Sequence, residues 1–288
     1  MNELLLTLER KPSLLGRTGL VCLFVAVTGA FLIAGHLAHV LLGCNLVVLH
    51  LAGWLVWFTW QGWLFPLNRQ RYLRADAATA YRKAFPRDIQ FGVSFGASQM
   101  ARPAFYGLMA GCGNAHAPEQ LGVGLGWILA GLVLLYLGFR TIGFAGAGFL
   151  AEYRSFAQPM IEHSVYAYIR HPLFLGGALA SLGSGLLFAG PWPVALGLAN
   201  VAILPVYGRI EDARLILVFG EGYRGYAASV GRFLPRLCLL RAGIGACLKK
   251  GATLLKAHMP LPVSGSFSPA APQPGQRVCA ARLGGLVR

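Results

Sequence analysis

Six long apolar stretches constrain this chain more than any other feature of its sequence. They cover roughly residues 19–42, 46–65, 91–111, 121–149, 172–189 and 193–208. An α-helix needs about 20 apolar residues to cross the hydrocarbon core of a bilayer, and these stretches approach or exceed that length. Hydrophobic residues make up 56% of the chain and charged residues only 12%, a combination that is rare in soluble domains. The sequence therefore predicts an all-α, polytopic integral membrane bundle of about six transmembrane helices.

Basic residues are concentrated in two regions that an even number of spans would place on the same side of the membrane. Arg10, Lys11 and Arg17 precede the first stretch, and an Arg-rich linker, 66–88, follows the second. The connection at 112–120 contains neither Lys nor Arg. By the positive-inside rule both termini should be cytoplasmic, and the linker should form an interfacial helix facing lipid headgroups. This distribution explains the net charge of +15 by membrane orientation and argues against a nucleic-acid partner.

The cysteines and histidines do not follow the spacing of a known metal site or disulfide framework. Cys44 and Cys112 would both lie on the outer side, so a single disulfide between them stays open. His36 and His39 are three residues apart and would share a helix face, with His50 nearby in sequence. No carboxylate or cysteine completes a ligand set with them, so we expect no metal.

A basic pair and an acidic pair lie at the two ends of the last apolar hairpin. Arg170 and His171 precede Pro172, and a residue before proline avoids helical geometry, so a helix should begin at this proline. Glu211 and Asp212 follow about forty residues later, the length of one helical hairpin. The hairpin should therefore bring the two pairs together, close to two tyrosines at positions 223 and 226. Such a pocket suits a zwitterionic, cationic ligand that carries an aromatic base.

Simpler interpretations of these charges remain open. Arg170 alone could anchor the chain to lipid headgroups. Glu211 and Asp212 could form structural ion pairs with Arg209 or Arg214. A further charge, at position 102, lies inside the third apolar stretch, where it would either orient substrate or cofactor or form a buried ion pair.

Three ordered motifs in residues 164–236 resemble a known enzyme superfamily. They read Tyr166-x-Tyr168-x-Arg170-His171-Pro172-x-x-x-Gly176, then Arg209-x-Glu211-Asp212-x-x-Leu215, then Phe219-Gly220-x-x-Tyr223-x-x-Tyr226 with a terminal Leu234-Pro235. This pattern resembles the isoprenylcysteine carboxyl methyltransferase and phospholipid methyltransferase superfamily. The resemblance implies S-adenosylmethionine (SAM) as cofactor, held by Tyr166, Tyr168, Arg170, His171, Pro172, Leu173, Gly176, Glu211, Asp212, Tyr223 and Tyr226. It implies catalytic roles for Arg170, His171 and Glu211 among them.

The membrane arm carries a second, partial resemblance. The stretch "ASQMARPAFY" is similar to a motif of the NnrU-type branch that includes bacterial methanethiol S-methyltransferases, and it makes Arg102 a candidate substrate residue. Gly96 and Ala97 occupy the places where a Gln-His pair is expected. Ser164 and Val165 likewise stand where the family has Gly-Pro. Thiol methylation therefore stays one option among several, and the expected location is a bacterial inner membrane.

The sequence predicts three regions and one leading function. Residues 1–150 form the membrane arm, 151–236 the methyltransferase core and 237–288 a basic tail whose composition predicts disorder. The expected activity is SAM-dependent methylation of a small or lipophilic acceptor in contact with membrane lipids. The acceptor could be a thiol, an isoprenylcysteine-type carboxylate or a lipid amine. The alternatives are a non-catalytic NnrU-like accessory protein and a sterol-reductase-type enzyme that uses NADPH.

Overall fold

The computed structural model describes residues 14–76, 79–109, 118–153, 160–188 and 190–236. In these ranges the chain forms helices and one isolated parallel bridge between Ile169 and Gly231, and it forms no strand. The predicted all-α fold class is therefore confirmed. The tail at 237–288 lies outside the described residues, as does Cys112, whose pairing with Cys44 the sequence left open.

Helices occupy each of the six predicted apolar stretches. The elements are α1 Leu14–Leu42, α2 Leu46–Thr59, α3 Phe65–Asp76, α4 Ala80–Ala84, α5 Gln90–Met109, α6 Pro118–Ala147, α7 Leu150–Tyr153, α8 Pro172–Phe188, α9 Pro191–Ala202, α10 Leu204–Phe219 and α11 Glu221–Ser229. π-Helical turns at Trp60–Leu64 and Phe85–Ile89 join α2 to α3 and α4 to α5. A 3₁₀ turn at Ser164–Ala167 precedes α8.

Three of these helical segments are long and apolar enough to cross a membrane. They cover Thr18–Leu42, Glu119–Gly143 and Pro191–Phe219, and the shorter α8 is also apolar. The protein is accordingly a helical membrane bundle. The number of six spans stays a prediction, because α2 and α5 do not meet the same criteria of length and composition.

Ordinary helix-end chemistry explains where the helices begin and end. The side chain of Asn45 caps α2 by accepting a hydrogen bond from the backbone nitrogen of Val47 at 2.9 Å. Pro172 begins α8 as predicted, since its missing N–H and fixed φ suit the first helical position. Gly220 ends α10 with a φ of +58°, a conformation that costs glycine little. The break at Gly220 turns the chain into α11 and so folds α11 back towards the start of α8.

A seam of glycines brings α6 and α8 into close contact. A Cβ atom on Gly131 would lie 2.5 Å from the carbonyl oxygen of Gly176, and one on Gly183 would lie 2.6 Å from the carbonyl oxygen of Gly124. Only residues without side chains allow two helix backbones to approach this closely, as is common in membrane bundles. The seam fixes the start of α8, and hence the predicted basic pair, against the end of α6.

The Arg-rich linker packs on the same end of the bundle as α7. Its Tyr81 is fully buried and donates a hydrogen bond from its hydroxyl to the carbonyl oxygen of Gly148 at 3.0 Å. Its Arg69 donates to the backbone carbonyl of Glu152. Aromatic rings of α2 and the following π-turn, including Trp57 and Trp60, fill the space behind it. The linker therefore braces the backbone between α6 and the predicted site.

Two histidines of the membrane arm, His50 and His39, have defined hydrogen-bond partners. His50 is buried and its Nε2 lies 2.9 Å from Oδ1 of Asn200, which also accepts a hydrogen bond from Trp54. His39 bonds the backbone carbonyl of Cys44 through Nδ1 at 2.6 Å. The described residues contain no group of three His, Cys, Asp or Glu side chains that could hold a metal. These histidines thus serve interhelical and loop contacts.

Candidate active site

The segment before α8 is held in place by the segment after α11. The backbone nitrogen of Arg170 donates to the carbonyl of Gly231 at 2.9 Å, and that of His171 donates to the carbonyl of Arg232 at 3.2 Å. This short ladder is possible because the proline at 172 prevents helical geometry at the preceding residue. The basic pair is thereby fixed at the entrance of α8, facing α10.

Asp212 is the centre of a saturated polar network. Its two oxygens accept from Nη2 of Arg170 at 2.9 Å, Nε of Arg232 at 2.9 Å and the hydroxyl of Tyr223 at 2.6 Å, and Nε2 of His171 lies 2.9 Å away. Burial and the hydrogen bond to the carboxylate raise the pKa of the Tyr223 hydroxyl, so it remains a donor. We call this set the Asp212 network. It confirms that the hairpin returns the acidic pair to the basic pair.

Arg170 also donates hydrogen bonds to the backbone. Nη1 donates to the carbonyl oxygens of Ala227 at 2.7 Å and Val230 at 2.5 Å, which are the carbonyls exposed at the end of α11. Its Nε donates to Oδ1 of Asp212 at 3.3 Å, so every nitrogen of the guanidinium has a protein acceptor. Arg170 joins α8, α10 and α11 through four of its five N–H groups.

A second buried cluster lies beside the first but is incompletely bonded. Nη2 of Arg214 is 2.9 Å from Oε1 of Glu152 and 3.7 Å from Oε1 of Glu211, and the guanidinium stacks on Phe149 with its central carbon 4.6 Å from the ring centroid. Among the described residues no nitrogen of Arg214 makes a hydrogen bond of good geometry, and Oε2 of Glu211 has no partner. Burial raises the pKa of Glu152 although Arg214 opposes the shift. We call this set the Arg214 cluster.

Both clusters border a cavity of about 170 Å³, which we call the polar cavity. Its lining includes Glu152, Tyr166, Arg170, His171, Leu173, Glu211, Arg214, Tyr223 and Tyr226. Carboxylates, buried tyrosines and apolar side chains thus meet in one concave site. The volume is below the range of about 300–1,000 Å³ usual for ligand pockets, so a ligand as large as SAM would extend beyond it or displace side chains.

The predicted site residues fall into four groups. Tyr166, Arg170, His171, Leu173, Glu211, Tyr223 and Tyr226 line the polar cavity. Asp212 lies behind the lining as the centre of its network, and Tyr168 is 46% exposed and does not line the cavity. Pro172 and Gly176 shape α8, the glycine at its contact with α6. Arg102 lies apart in α5, where it is buried beside Gly35 and forms no ion pair among the described residues.

Three residues of the site were missed in the sequence. Glu152 was detectable, because an acid directly after a long apolar run is costly unless it is paired or functional. Arg214 had been considered only as a structural partner of the acidic pair. Phe149 gave no signal, since one phenylalanine among apolar residues is ordinary. The position of Phe149 matters because it lines two cavities, the polar cavity and a second one described next, and neither can be seen in the sequence.

The second cavity is larger and almost entirely apolar. It has a volume of about 900 Å³ and is lined by α1, α2, α5, α6 and α8. Along α8 its lining runs from Leu173 to Phe188, a distance of about 22 Å at the rise of an α-helix. We call it the apolar cavity. Ala147, Phe149 and Phe174 line both cavities, as does Leu173, so the two are adjacent.

Comparison with curated proteins finds partial similarity to membrane methyltransferases. Methanethiol S-methyltransferase 2 of Bradyrhizobium diazoefficiens is 31% identical over 126 residues, which is 39% of this chain and 44% of that protein. Methanethiol S-methyltransferase of Mycobacterium tuberculosis is 28% identical over 107 residues, 37% of this chain and 38% of that protein. Protein-S-isoprenylcysteine O-methyltransferase of Tribolium castaneum is 31% identical over 77 residues, 26% of this chain and 27% of that protein.

The chain spans less than half the length of these curated relatives. No family model matches the sequence. No solved structure matches it either. The relatives are all named as methyltransferases, and together they support a similarity of this chain to the isoprenylcysteine methyltransferase-like superfamily.

Proposed function

We propose that this protein is an integral-membrane, SAM-dependent methyltransferase with a lipophilic acceptor. One observation carries the proposal: a polar cavity with buried carboxylates adjoins a long apolar cavity, and the two share lining residues. A charged methyl donor and an apolar acceptor could therefore meet at one boundary without leaving their own environments. The named activities of the curated relatives, methylation of methanethiol and of protein S-isoprenylcysteine, are consistent with it.

The residues of the polar cavity suit SAM in charge and in the aromatic faces that they offer. SAM supplies an activated methyl group, so the protein mainly has to align the acceptor with it. Among the described residues, none gives a hydrogen-bond partner to the buried Oε2 of Glu211, and an ammonium or ribose hydroxyl of the cofactor would satisfy it. The rings of Tyr166, Tyr223 and Tyr226 offer apolar faces for an adenine base.

Two of the three expected catalytic residues take different roles in this proposal. Arg170 acts as a positioning residue, because protein acceptors occupy all of its guanidinium nitrogens. His171 lines the cavity but its Nε2 is held by Asp212. Glu211 is the better candidate to take a proton from a thiol or amine acceptor, since one of its oxygens has no partner in the part of the chain that the structure describes.

The size of the apolar cavity favours a long acceptor over a one-carbon thiol. A volume of about 900 Å³ along about 22 Å of α8 suits an alkyl or isoprenoid chain. We further propose that the polar cavity faces the cytoplasm, because the Arg-rich linker packs at the same end of the bundle through Tyr81 and Arg69. The membrane would then be a bacterial inner membrane.

Equilibrium binding to the purified protein in nanodiscs tests the proposal. We expect tritiated SAM to bind in the micromolar range and NADPH not to compete, and we expect methyl transfer to N-acetyl-S-farnesylcysteine or to a long-chain thiol. A nicotinamide enzyme would bind NADPH instead. A protein that binds neither cofactor would be an accessory protein, and the proposal would be rejected.

A further inference from the structure

Phe149 occupies the boundary between the polar and apolar cavities. Of the four residues that line both, Ala147 contributes only a methyl group, while Leu173 and Phe174 belong to the first turn of α8. Phe149 is the one that stands outside a helix, between α6 and α7. Its ring is therefore the part of the boundary that the backbone of α8 does not position.

The backbone at Phe149 adopts a conformation that is rare for a large side chain. Its φ is +58°, and a bulky residue in this region is strained. The strain is maintained by bonds on both sides: the nitrogen of Phe149 donates to Gly146, and the flanking carbonyls of Gly148 and Glu152 accept from Tyr81 and from the linker arginine at position 69. The surrounding structure thus forces the ring into the boundary.

The ring of Phe149 is also coupled to the Arg214 cluster. The guanidinium of Arg214 lies over the ring at 4.6 Å, and the ring packs against Phe65 with centroids 5.4 Å apart. Arg214 in turn approaches Glu152 and Glu211, which line the polar cavity. The position of the ring therefore depends on the acids that would contact a methyl donor.

We propose that Phe149 is a specificity-determining residue: its ring stops the acceptor at the boundary, so that only the reactive head group reaches the polar cavity. This inference rests on the proposed function. In transfer to a thiol, the acceptor sulfur forms a bond to the methyl carbon as the sulfonium–methyl bond breaks. The thiol proton passes to Glu211 and then to water, and S-adenosylhomocysteine leaves.

Truncation of the ring tests the inference through kinetics rather than stability. The assay uses nanodisc-embedded protein, tritiated SAM, alkane thiols from methanethiol to dodecanethiol, and N-acetyl-S-farnesylcysteine. In Phe149→Ala we expect kcat for the preferred acceptor to fall about 10- to 100-fold, because the head group loses its alignment. The SAM Kd should stay within about threefold, and the acceptor KM should not rise, because the enlarged cavity still binds the chain.

Two further variants separate the ring from its backbone and from the rest of the cavity. Phe149→Gly should lose kcat as Phe149→Ala does but melt at a higher temperature, because glycine adopts positive φ without strain. Phe188→Ala enlarges the apolar cavity at its other end. Along α8, Phe188 lies about 21 Å from Phe174, which lines both cavities. This variant should shift the preference towards longer thiols.

Three results would overturn the inference. Unchanged kcat in both Phe149 variants would show that the ring does not position the acceptor, and a fall in kcat matched by an equal loss of SAM affinity would assign it a structural role. Wild-type protein that binds SAM but methylates no acceptor of either class would reject the boundary while leaving the donor site intact. Absence of SAM binding by the wild type would reject the proposed function itself.

Discussion

The Asp212 network and the Arg214 cluster are neighbours, yet their polar atoms are satisfied to very different degrees. Asp212 interacts with two arginines, a histidine and a tyrosine, and Arg170 bonds at every nitrogen. One residue earlier in α10, Glu211 has a buried oxygen without a partner, and the Arg214 guanidinium lacks hydrogen bonds of good geometry among the described residues. Two adjacent acids on one helix therefore differ in how completely their oxygens are hydrogen-bonded.

From this difference we predict that Asp212 supports the fold and that Glu211 binds the ligand. Both oxygens of Asp212 already have protein donors, so a ligand that binds this carboxylate must replace existing bonds and gains little. Buried polar atoms without partners cost free energy, about 1–3 kcal/mol each, and a ligand that satisfies them regains it. We therefore expect substitutions in the network to change stability and substitutions at Glu211 to change cofactor affinity.

The largest effect should follow from Asp212→Asn. This change leaves Arg170 buried without its counter-charge, and breaking such a buried pair typically costs about 3–5 kcal/mol. Chemical denaturation in mixed micelles measures the loss. The matched control is Glu221→Gln in α11, whose ion pair with Arg224 is exposed and should leave stability unchanged. A stable Asp212→Asn protein with weakened SAM binding would reverse the comparison.

Glu211→Gln should have the next largest effect, on binding instead of folding. If the free oxygen of Glu211 bonds a charged or hydroxyl group of SAM, its loss should weaken binding by about 1.5–3 kcal/mol, or about 10- to 150-fold. Stability should change by less than about 1 kcal/mol, because the contact of Glu211 with Arg214 is long, at 3.7 Å. Equilibrium dialysis of monodisperse protein gives the affinity. Unchanged SAM affinity together with lost stability would show that Glu211 has a structural role and does not bind the cofactor.

The sequence predicted the outline of this site because its main signals are local. Proline at 172 set the start of α8, and the hairpin length correctly brought Arg170 to Asp212. The same signals could not assign different roles to Glu211 and Asp212. The oxygens of Asp212 are fully hydrogen-bonded only because Tyr223 approaches from another helix and Arg232 from a loop. Whether a donor is already occupied is a property of the packed structure and not of a motif.

The apolar cavity and its boundary were beyond the sequence for a related reason. Apolar periodicity indicates that a helix is buried or faces lipid, but it does not distinguish a filled interior from an empty one. The cavity exists because five helices leave space between Trp57, Met100 and Phe174. Phe149 lies beside the cavity because its φ is positive. The glycine-rich sequence around it suggests a positive φ in this stretch but does not show at which residue.

Tyr223→Phe should have a smaller effect that sharpens the comparison within α11. Its hydroxyl donates to the carboxylate of Asp212 at 2.6 Å, and a charge-assisted bond of this kind is worth about 1.5–3 kcal/mol before the remaining donors compensate. We expect a loss of stability of about 1–2 kcal/mol. Tyr226→Phe is the control, since that hydroxyl donates to the neutral carbonyl of Tyr166 at 2.7 Å and should cost less. Equal losses would show that the charge of Asp212 adds nothing to the bond.

Arg232→Gln should have the smallest effect, although Arg232 contacts the same carboxylate as Arg170. Its Nε lies 2.9 Å from Oδ2 of Asp212, but its side chain is 35% exposed, whereas that of Arg170 is 7% exposed. Water and salt screen an exposed charge, so we expect a loss below about 1 kcal/mol. Unfolding measured at low and at molar salt is decisive, because the loss should shrink as salt screens the pair. A large, salt-independent loss of stability would mean that Asp212 needs Arg232 to be fully hydrogen-bonded. The difference between Asp212 and Glu211 would then come from their burial rather than from their number of partners.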